Sequence, residues 1–321
     1  MNGRVREYRV ADADAVIGLH RRTLLAGHEP EPDFAAYLTA FYGATLFDHP
    51  WVADDLTSSV FEDADGAVVG FVGVIPRPMV LDDRPLRAAV SVRFMVDPDH
   101  PHGPLAAAAL HRRFLRGPQD LSLVENANDA ARRVWQASRQ ADVLTTGSIS
   151  WSVPGSATAG TGPVTELDPG VLLDLLLGAA ARYRLRPHYD EKSLTWLLDH
   201  LTGAGYRGTL HAHAVYTRDG RPAGWYVYYR RPADRPGYHG VLQLVWDRDP
   251  GPVLEALRAH AGGSDLPIHG RLQDGLLPHL AAHGGTLSAG PWTVVHSPDP
   301  RIRAAFRAGD AFLTRFEGEF C

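Results

Sequence analysis

The apolar positions of this chain change period in a fixed order. VREYRV reads as a strand, and ADADAVIGLHRRTLLAG after it as a helix with Asp12 or Asp14 near its N-cap. PDFAAYLTAFYGATLF predicts a second, amphipathic helix with Phe34, Tyr37, Leu38 and Phe41 on one face. FEDADGAVVGFVGV then predicts a hairpin turning at Asp65-Gly66, because an Asp-Gly pair suits the positive φ of a two-residue turn. An apolar strand from Val90 to Val96 follows, ending in the acidic turn VDPDH and leading into the Ala/Leu-rich helix LAAAALHRRFL. DLSLVEN reads as a short buried strand and NDAARRVWQAS as a helix.

The same succession recurs in the second half. DPGVLLDLLLGAAARY and DEKSLTWLLDHL predict helices, and VYTRDGRPAGWYVYY a hairpin turning at Asp219-Gly220. In both hairpins a glycine follows four residues later (Gly70, Gly224), then an aromatic residue (Phe71, Trp225). The strand Val241 to Trp246, the turn WDRDP, the helix VLEALRAHA, the strand DLPIHGR and the helix QDGLLPHLAAHG complete the match. This order predicts two copies of one α/β unit, residues 1–152 and 165–321. The joining segment 153–164 contains GSATAGTGP, small and breaker-rich, and reads as a linker. Near the C-terminus AFLTRF predicts a strand that closes the second sheet, ahead of the acid-rich tail RFEGEF.

Composition narrows the functions. The 321 residues carry a net charge of -5, so no global basic field marks a nucleic-acid binder. Cys321 is the only cysteine, which excludes an intramolecular disulfide framework and any cysteine-based zinc site. No apolar run reaches the roughly 18 residues of a membrane span, and the expectation is a soluble, cytoplasmic protein whose oligomeric state the sequence leaves open. Nucleophile-elbow, Walker, zincin and dinucleotide-binding signatures are missing. Lys192 is the single lysine. Of the arginine pairs 21-22, 112-113, 132-133 and 230-231, three fall in the first half, a local positive strip suited to the phosphates of a ligand or an RNA backbone.

Three stretches carry a family likeness: VREYRVADADAVIGLH, VRFMVDPDHPHGPLAAAALHRRFL and VENANDAARRVWQAS. With them the chain resembles the GNAT superfamily of acyl-CoA-dependent N-acyltransferases in a tandem, two-domain arrangement. The resemblance implies an α/β fold of two tandem GNAT-like units, each a mixed, mostly antiparallel central sheet flanked by helices. It places acyl-CoA along Phe94, Met95 and Val96, at the loop and helix start His102, Gly103, Leu105 and Ala106, and beside Asn128 and Trp135. The physics of the middle stretch agrees, since unpaired N–H groups and the dipole at a helix start favour phosphate. Gly103 is accordingly expected at a helix N-terminus open to solvent or ligand.

The chain departs from the family pattern in two places. Pro101 and Pro104 stand in the loop and donate no N–H. Trp135 occupies the position where many members place a tyrosine acid, and an indole is no acid at neutral pH. Glu125 is left as a candidate base, its alternative being an ion pair with an arginine such as Arg93. The second half keeps only Gly251 between two prolines. Its strand 225–229 puts Tyr226 and Tyr228 on one face and Trp225, Val227 and Tyr229 on the other, either lining a cleft or packing a sheet buried on both sides. His211 and His213 share a face, but no acidic or cysteine partner stands beside them in sequence; a polar pocket wall is expected, and no metal.

The leading expectation is an N-acyltransferase that moves an acyl group from acyl-CoA, acetyl-CoA first among candidates, to an amine of a small molecule. The donor would dock on the first half. The acceptor pocket would borrow Tyr226 and His213 from the second, with Glu125 taking the amine proton. Two rivals stand beside it. One is an aminoacyl-tRNA-dependent transferase of the Fem type, which the degraded loop suits and the net charge does not. The other is a catalytically inactive binding protein on the same fold.

Overall fold

The computed structural model describes residues 3–144, 148–158 and 162–316. Its first half runs β1 (Gly3–Glu7), α1 (Ala13–Leu24), α2 (Pro32–Ala40), β2 (Ser59–Asp63), β3 (Val68–Leu81), β4 (Arg84–Val96), α3 (Gly103–Leu115), β5 (Leu121–Ala127), α4 (Asp129–Gln136) and β6 (Ala141–Leu144). β7 (Ile149–Val153) closes the first half, and the second begins with β8 (Val164–Glu166), α5 (Pro169–Ala180), β9 (Leu185–Pro187) and α6 (Glu191–Gly203). It continues with β10 (Thr209–Tyr216), β11 (Pro222–Arg230), β12 (His239–Trp246), α7 (Gly251–Ala261), β13 (Ile268–Arg271) and α8 (Leu277–Ala282). The strands β14 (Thr286–Ala289) and β15 (Trp292–His296) and the helix α9 (Pro300–Arg307) end the described chain. Both expected Asp-Gly turns form, with Gly66 and Gly220 at φ +83° and +82°. Helix caps follow local sequence: Asn128 accepts from the Ala131 amide, Asp168 from Val171, and Asp190 forms a capping box with Ser193.

Two sheets result. The first has the order β1-β2-β3-β4-β5-β15-β6, with β9 added on the part of β3 that outruns β2. The second has the order β14-β7-β13-β12-β11-β10-β8. Each is antiparallel except for one parallel pair, β4–β5 in the first and β12–β13 in the second. This is the expected pair of tandem GNAT-like units.

The units exchange strands. β15, from the end of the chain, lies between β5 and β6 of the first sheet, while β7 lies between β13 and β14 of the second. A division at residue 152 therefore does not describe the sheets, because Ile149–Val153 pairs entirely within the second. The two exchanging segments touch where they cross, the Gly290 amide donating to the Ser148 carbonyl at 2.7 Å. Residues 159–161 of the expected linker lie outside the described residues.

Three apolar cores follow from this layout. α3 and α4 cover one face of the first sheet through Leu110, Phe114 and Trp135. α7 covers one face of the second through Val253, Leu254 and Leu257. Between the sheets, α1, α2, α5 and α6 share a single core holding Leu19, Leu38, Leu172, Leu176, Leu194 and Leu197. The expected face of the second helix is there, Tyr37, Leu38 and Phe41 buried, with the rings of Phe34 and Tyr37 packed at a tilt against Tyr206 of the other unit at 4.5 and 4.9 Å. The AFLTRF segment is not a strand. Among its residues only Ala311 makes a bridge, to Leu185; beyond it Thr314 accepts from Gln243 and meets the Tyr189 hydroxyl. The second sheet ends at β8 and β14, so this segment crosses its inner face instead of extending an edge. The tail from residue 317 lies outside the described residues.

Two outcomes test this account. Trp151 on β7 is buried and its indole N–H donates to the Arg271 carbonyl at 2.9 Å, so Trp151→Ala should cost about 3–5 kcal/mol in urea unfolding. Burial also lowers His20 to about 3 and both His49 and His111 to about 4, from an ordinary 6.5. In the interval below 6.5 the unfolded chain binds protons that the folded chain does not, so stability is full above pH 6.5 and falls as pH drops towards 4. Thermal unfolding measured from pH 8 to 4 should show a flat upper limb and a steep lower one, made shallower by His49→Gln.

Candidate functional site

The two parallel pairs are built alike. β4 and β5 pair only over Ala88–Val90 and Leu121–Leu123, yet both strands run on, so the pair opens into a V. β12 and β13 pair only at His239–Gly240 and Ile268–His269, and open in the same way. In each case the central strand carries one extra residue beside the opening. The β3–β4 register shifts so that Val92 has no opposite number, and the β11–β12 register does the same at Leu242. Both extra residues bury their side chains in the shared core. The bulges turn strand-edge backbone groups into the two openings, where they can bond a ligand.

Beside the first opening stands a buried ion pair. Glu125, 1% exposed, forms an ion pair with the buried Arg77 of β3 at 3.3 Å. The arginine differs from the expected Arg93, but the pairing is of the expected kind. Trp135 is buried between α3 and α4, edge-on to His111 and Phe114 at 5.5 and 5.7 Å. Met95 and Ala106 are buried, Phe94 and Val96 half-buried against the α3 core, and Leu105 is 51% exposed. Asn128 caps α4 with its side chain.

The loop before α3 turns three of its amides on itself. Asp99 N–H donates to the Asp97 carboxylate, His102 N–H to Nδ1 of His100, and Gly103 N–H to the His100 carbonyl. Pro101 and Pro104 have none to give. Gly103 does begin α3, but it is buried rather than open, and a Cβ there would sit 2.7 Å from the Asp97 carbonyl oxygen. Its glycine is required by that close approach. The corresponding loop before α7 is no richer: Gly251 N–H donates to Asp249, between Pro250 and Pro252.

The second opening is hollow. A cavity of about 870 Å³ lies between β12 and the end of β13 on one side and β6, α9 and the segment after it on the other. Leu242, Gln243, Trp246, Arg271, Asp142 and Thr314 are among its walls. Gln243 is fixed at both ends, accepting from the Trp225 indole at 2.6 Å and donating to the Thr314 carbonyl at 3.3 Å. Arg271 donates to Thr293 of β15 at 3.2 Å and to the side chain of Asn126 on β5. One guanidinium thus joins the rim of the second opening to the strand of the first. Sequence reading missed Gln243, Arg271 and Arg77; a polar side chain inside otherwise apolar strands is the signal that marks them.

Tyr226 and Tyr228 do share a face, with Trp225, Val227 and Tyr229 opposite, and both faces are buried. His211 and His213 stack on Tyr228 and Tyr226 at 5.4 and 5.5 Å, on the α7 side of the second sheet. Burial holds both rings below the usual imidazole range and pushes Tyr228 up to about 12 and Tyr226 higher still. None of these four is among the residues lining the cavity, and Glu125 belongs to the other sheet. Of the three side chains expected to act together, Tyr226 and His213 stack on each other, while Glu125 stands on the other sheet and is paired with Arg77.

No family model matches this sequence, and no curated protein matches it. Solved structures do. A probable N-acyltransferase of Enterococcus faecalis V583 is similar with a TM-score of 0.60 at 11% identity, over 92% of this chain and 72% of that one. A GCN5-related N-acetyltransferase of Kribbella flavida gives 0.59 at 16%, over 91% and 71%. Saccharomyces cerevisiae N-myristoyltransferase with bound myristoyl-CoA gives 0.55 at 11%, over 92% and 79%. At these identities the likeness is one of fold, and it covers both units.

If the Glu125–Arg77 pair is structural, removing the carboxylate leaves a buried guanidinium without its counter-charge. Glu125→Ala should then cost about 3–5 kcal/mol in urea unfolding.

Proposed function

We propose that this chain is an N-acyltransferase that moves an acyl group from acyl-CoA to an amine of a small molecule. The observation that carries the reading is the repeated opening of a parallel strand pair beside a one-residue bulge, with a cavity of about 870 Å³ at one of the two. An opened strand edge offers backbone N–H and C=O groups to an extended, amide-containing arm such as that of CoA, and an N–H there can polarise a thioester carbonyl. The cavity volume suits a small molecule. The structural neighbours named as N-acyltransferases, and the yeast N-myristoyltransferase that holds myristoyl-CoA, support the acyl-CoA donor.

The amine nitrogen attacks the thioester carbonyl, the C–S bond breaks, and CoA leaves as the thiolate, reprotonated by the proton the amine loses. No side chain is assigned to that transfer; Glu125 is held by Arg77 and water in the cavity carries the proton. Positioning supplies the rate. Arg271 and Gln243 orient the acceptor from the cavity wall. Donor phosphates fall to surface arginines, since the Asp99, His102 and Gly103 amides of the loop before α3 are bonded within it and Pro101 and Pro104 offer none. Those spent amides favour a second reading, a small-molecule binding protein that has kept the fold and lost the reaction. The net charge of -5 supports neither a tRNA donor nor an RNA partner.

Calorimetry with acetyl-CoA and a thiol-release assay over a panel of primary amines separate the readings. One acetyl-CoA per chain and amine-dependent thiol release are expected, and Arg271→Met should raise the acceptor KM about tenfold with the donor KM unchanged. Absence of acyl-CoA binding overturns the donor. Amine binding without thiol release leaves the binding protein.

A further inference from the structure

On the α7 side of the second sheet, away from the cavity, three histidines from distant parts of the chain converge. His211 and His213 project from β10, and His260 comes down from α7. Their ligand atoms all lie within 4.8 Å of one another. The His260 ring stands edge-on to both, 4.8 Å from His211 and 4.3 Å from His213 between centroids. We propose that these three side chains form a binding site for a divalent transition metal ion, with Zn²⁺ the best match to the donor set.

Three neutral imidazole nitrogens are a recognised zinc ligand set, leaving a fourth tetrahedral position for water or another oxygen. Zinc–nitrogen bonds of about 2.0–2.1 Å put the nitrogens of such a site roughly 3.3 Å apart. From separations within 4.8 Å, the nitrogens need to close by at most about 1.5 Å.

The surroundings are those of a ligating cluster. The Tyr226 hydroxyl lies 3.0 Å from Nδ1 of His260, a hydrogen bond of the kind that fixes the ring and tautomer of a metal ligand through its other nitrogen. Nδ1 of His213 and the Tyr228 hydroxyl are buried polar atoms with no hydrogen-bond partner among the described residues. A structure that leaves such atoms unpaired normally has a use for them. A metal ion would satisfy the first, and a water in the fourth position the second.

Charge is accounted for on both sides. Glu166 of β8 stands opposite His213 in the β8–β10 ladder, so its side chain projects from the same face, and its charge acts on both strand histidines. It is the acidic partner that the linear sequence does not place beside them. Arg230 opposes the cation, acting on His211 and His260, but its guanidinium is turned to the Gly262 carbonyl at 3.2 Å. His239 is nearby, edge-on to Tyr228, with its Nδ1 taken by the Arg231 amide. The site ties α7 to β10 and is independent of the acyl-transfer reading.

Co²⁺ is the spectroscopic probe and Zn²⁺ the competitor, both used with the full chain stripped by chelator. One Co²⁺ per chain with the intense visible bands of a tetrahedral ion is expected, displaced by one Zn²⁺, and Zn²⁺ should raise the thermal midpoint. His213→Ala and His260→Ala should each weaken binding at least about 100-fold and abolish that rise, whereas the exposed His28→Ala should change neither. Tyr226→Phe, which keeps the ligands and the packing, should weaken binding by about 10- to 100-fold. Absence of a saturable 1:1 spectrum in the unaltered chain overturns the proposal whether or not the variants fold. So does a spectrum that survives His260→Ala.

Discussion

The arrangement of the molecule depends on one exchange: each unit completes its sheet with a strand from the other. β15 bonds to β5 on one side and β6 on the other, and β7 bonds to β13 and β14. Backbone hydrogen bonds in the middle of a sheet are among the last a protein gives up, because exposing them unpaired within an apolar surround is costly. Each unit therefore holds the other within its sheet, by a strand one place in from the edge, rather than at a contact surface. The single core between the sheets, built from α1, α2, α5 and α6, follows from that clasp.

The same exchange brings the two strand openings into communication. Arg271 ends β13, the strand that β7 pairs with, and its guanidinium reaches Thr293 on β15 and Asn126 on β5. The openings themselves have the same backbone cause, a parallel pair that stops early beside a bulge, but different contents. Beside the first, Glu125 of β5 is tied to Arg77 of β3 in a buried ion pair. Two buried charges need each other, since either alone would carry most of its desolvation cost. In the second, Gln243 is held open between an indole and a backbone carbonyl, and a cavity remains.

Both helix-start loops turn part of their amides inward in the same way. Prolines stand where donors would, and an aspartate, a histidine ring nitrogen or a loop carbonyl accepts from neighbouring amides. A glycine at the first position of α3 looks, in sequence, like room for a phosphate. In space it is room for the Asp97 carbonyl. The tyrosine and histidine face of the second sheet shows the reverse: His211 and His213 look isolated along the chain and acquire a third histidine and a carboxylate by folding.

Local physical rules made much of this chain legible from its residues. Alternation and helical period gave the strands and helices, Asp-Gly pairs the turns, and Asn128, Asp168 and Asp190 the caps, because each depends on neighbours within a few positions. The repeat of five matched segments gave two like units, and the side-chain period of two placed Tyr226 and Tyr228 on one face. Tertiary structure alone decided which sheet ISWSV and WTVVH would enter, since two short strands of similar pattern fit either edge equally well and only the global arrangement of hydrogen bonds distinguishes them. It also decided that Glu125 meets Arg77, that Arg271 reaches Asn126, and that His260 joins two histidines about fifty residues away in the chain. Such contacts join residues far apart in sequence, and no local propensity or spacing encodes them; they exist only once the sheets have closed and the helices have docked.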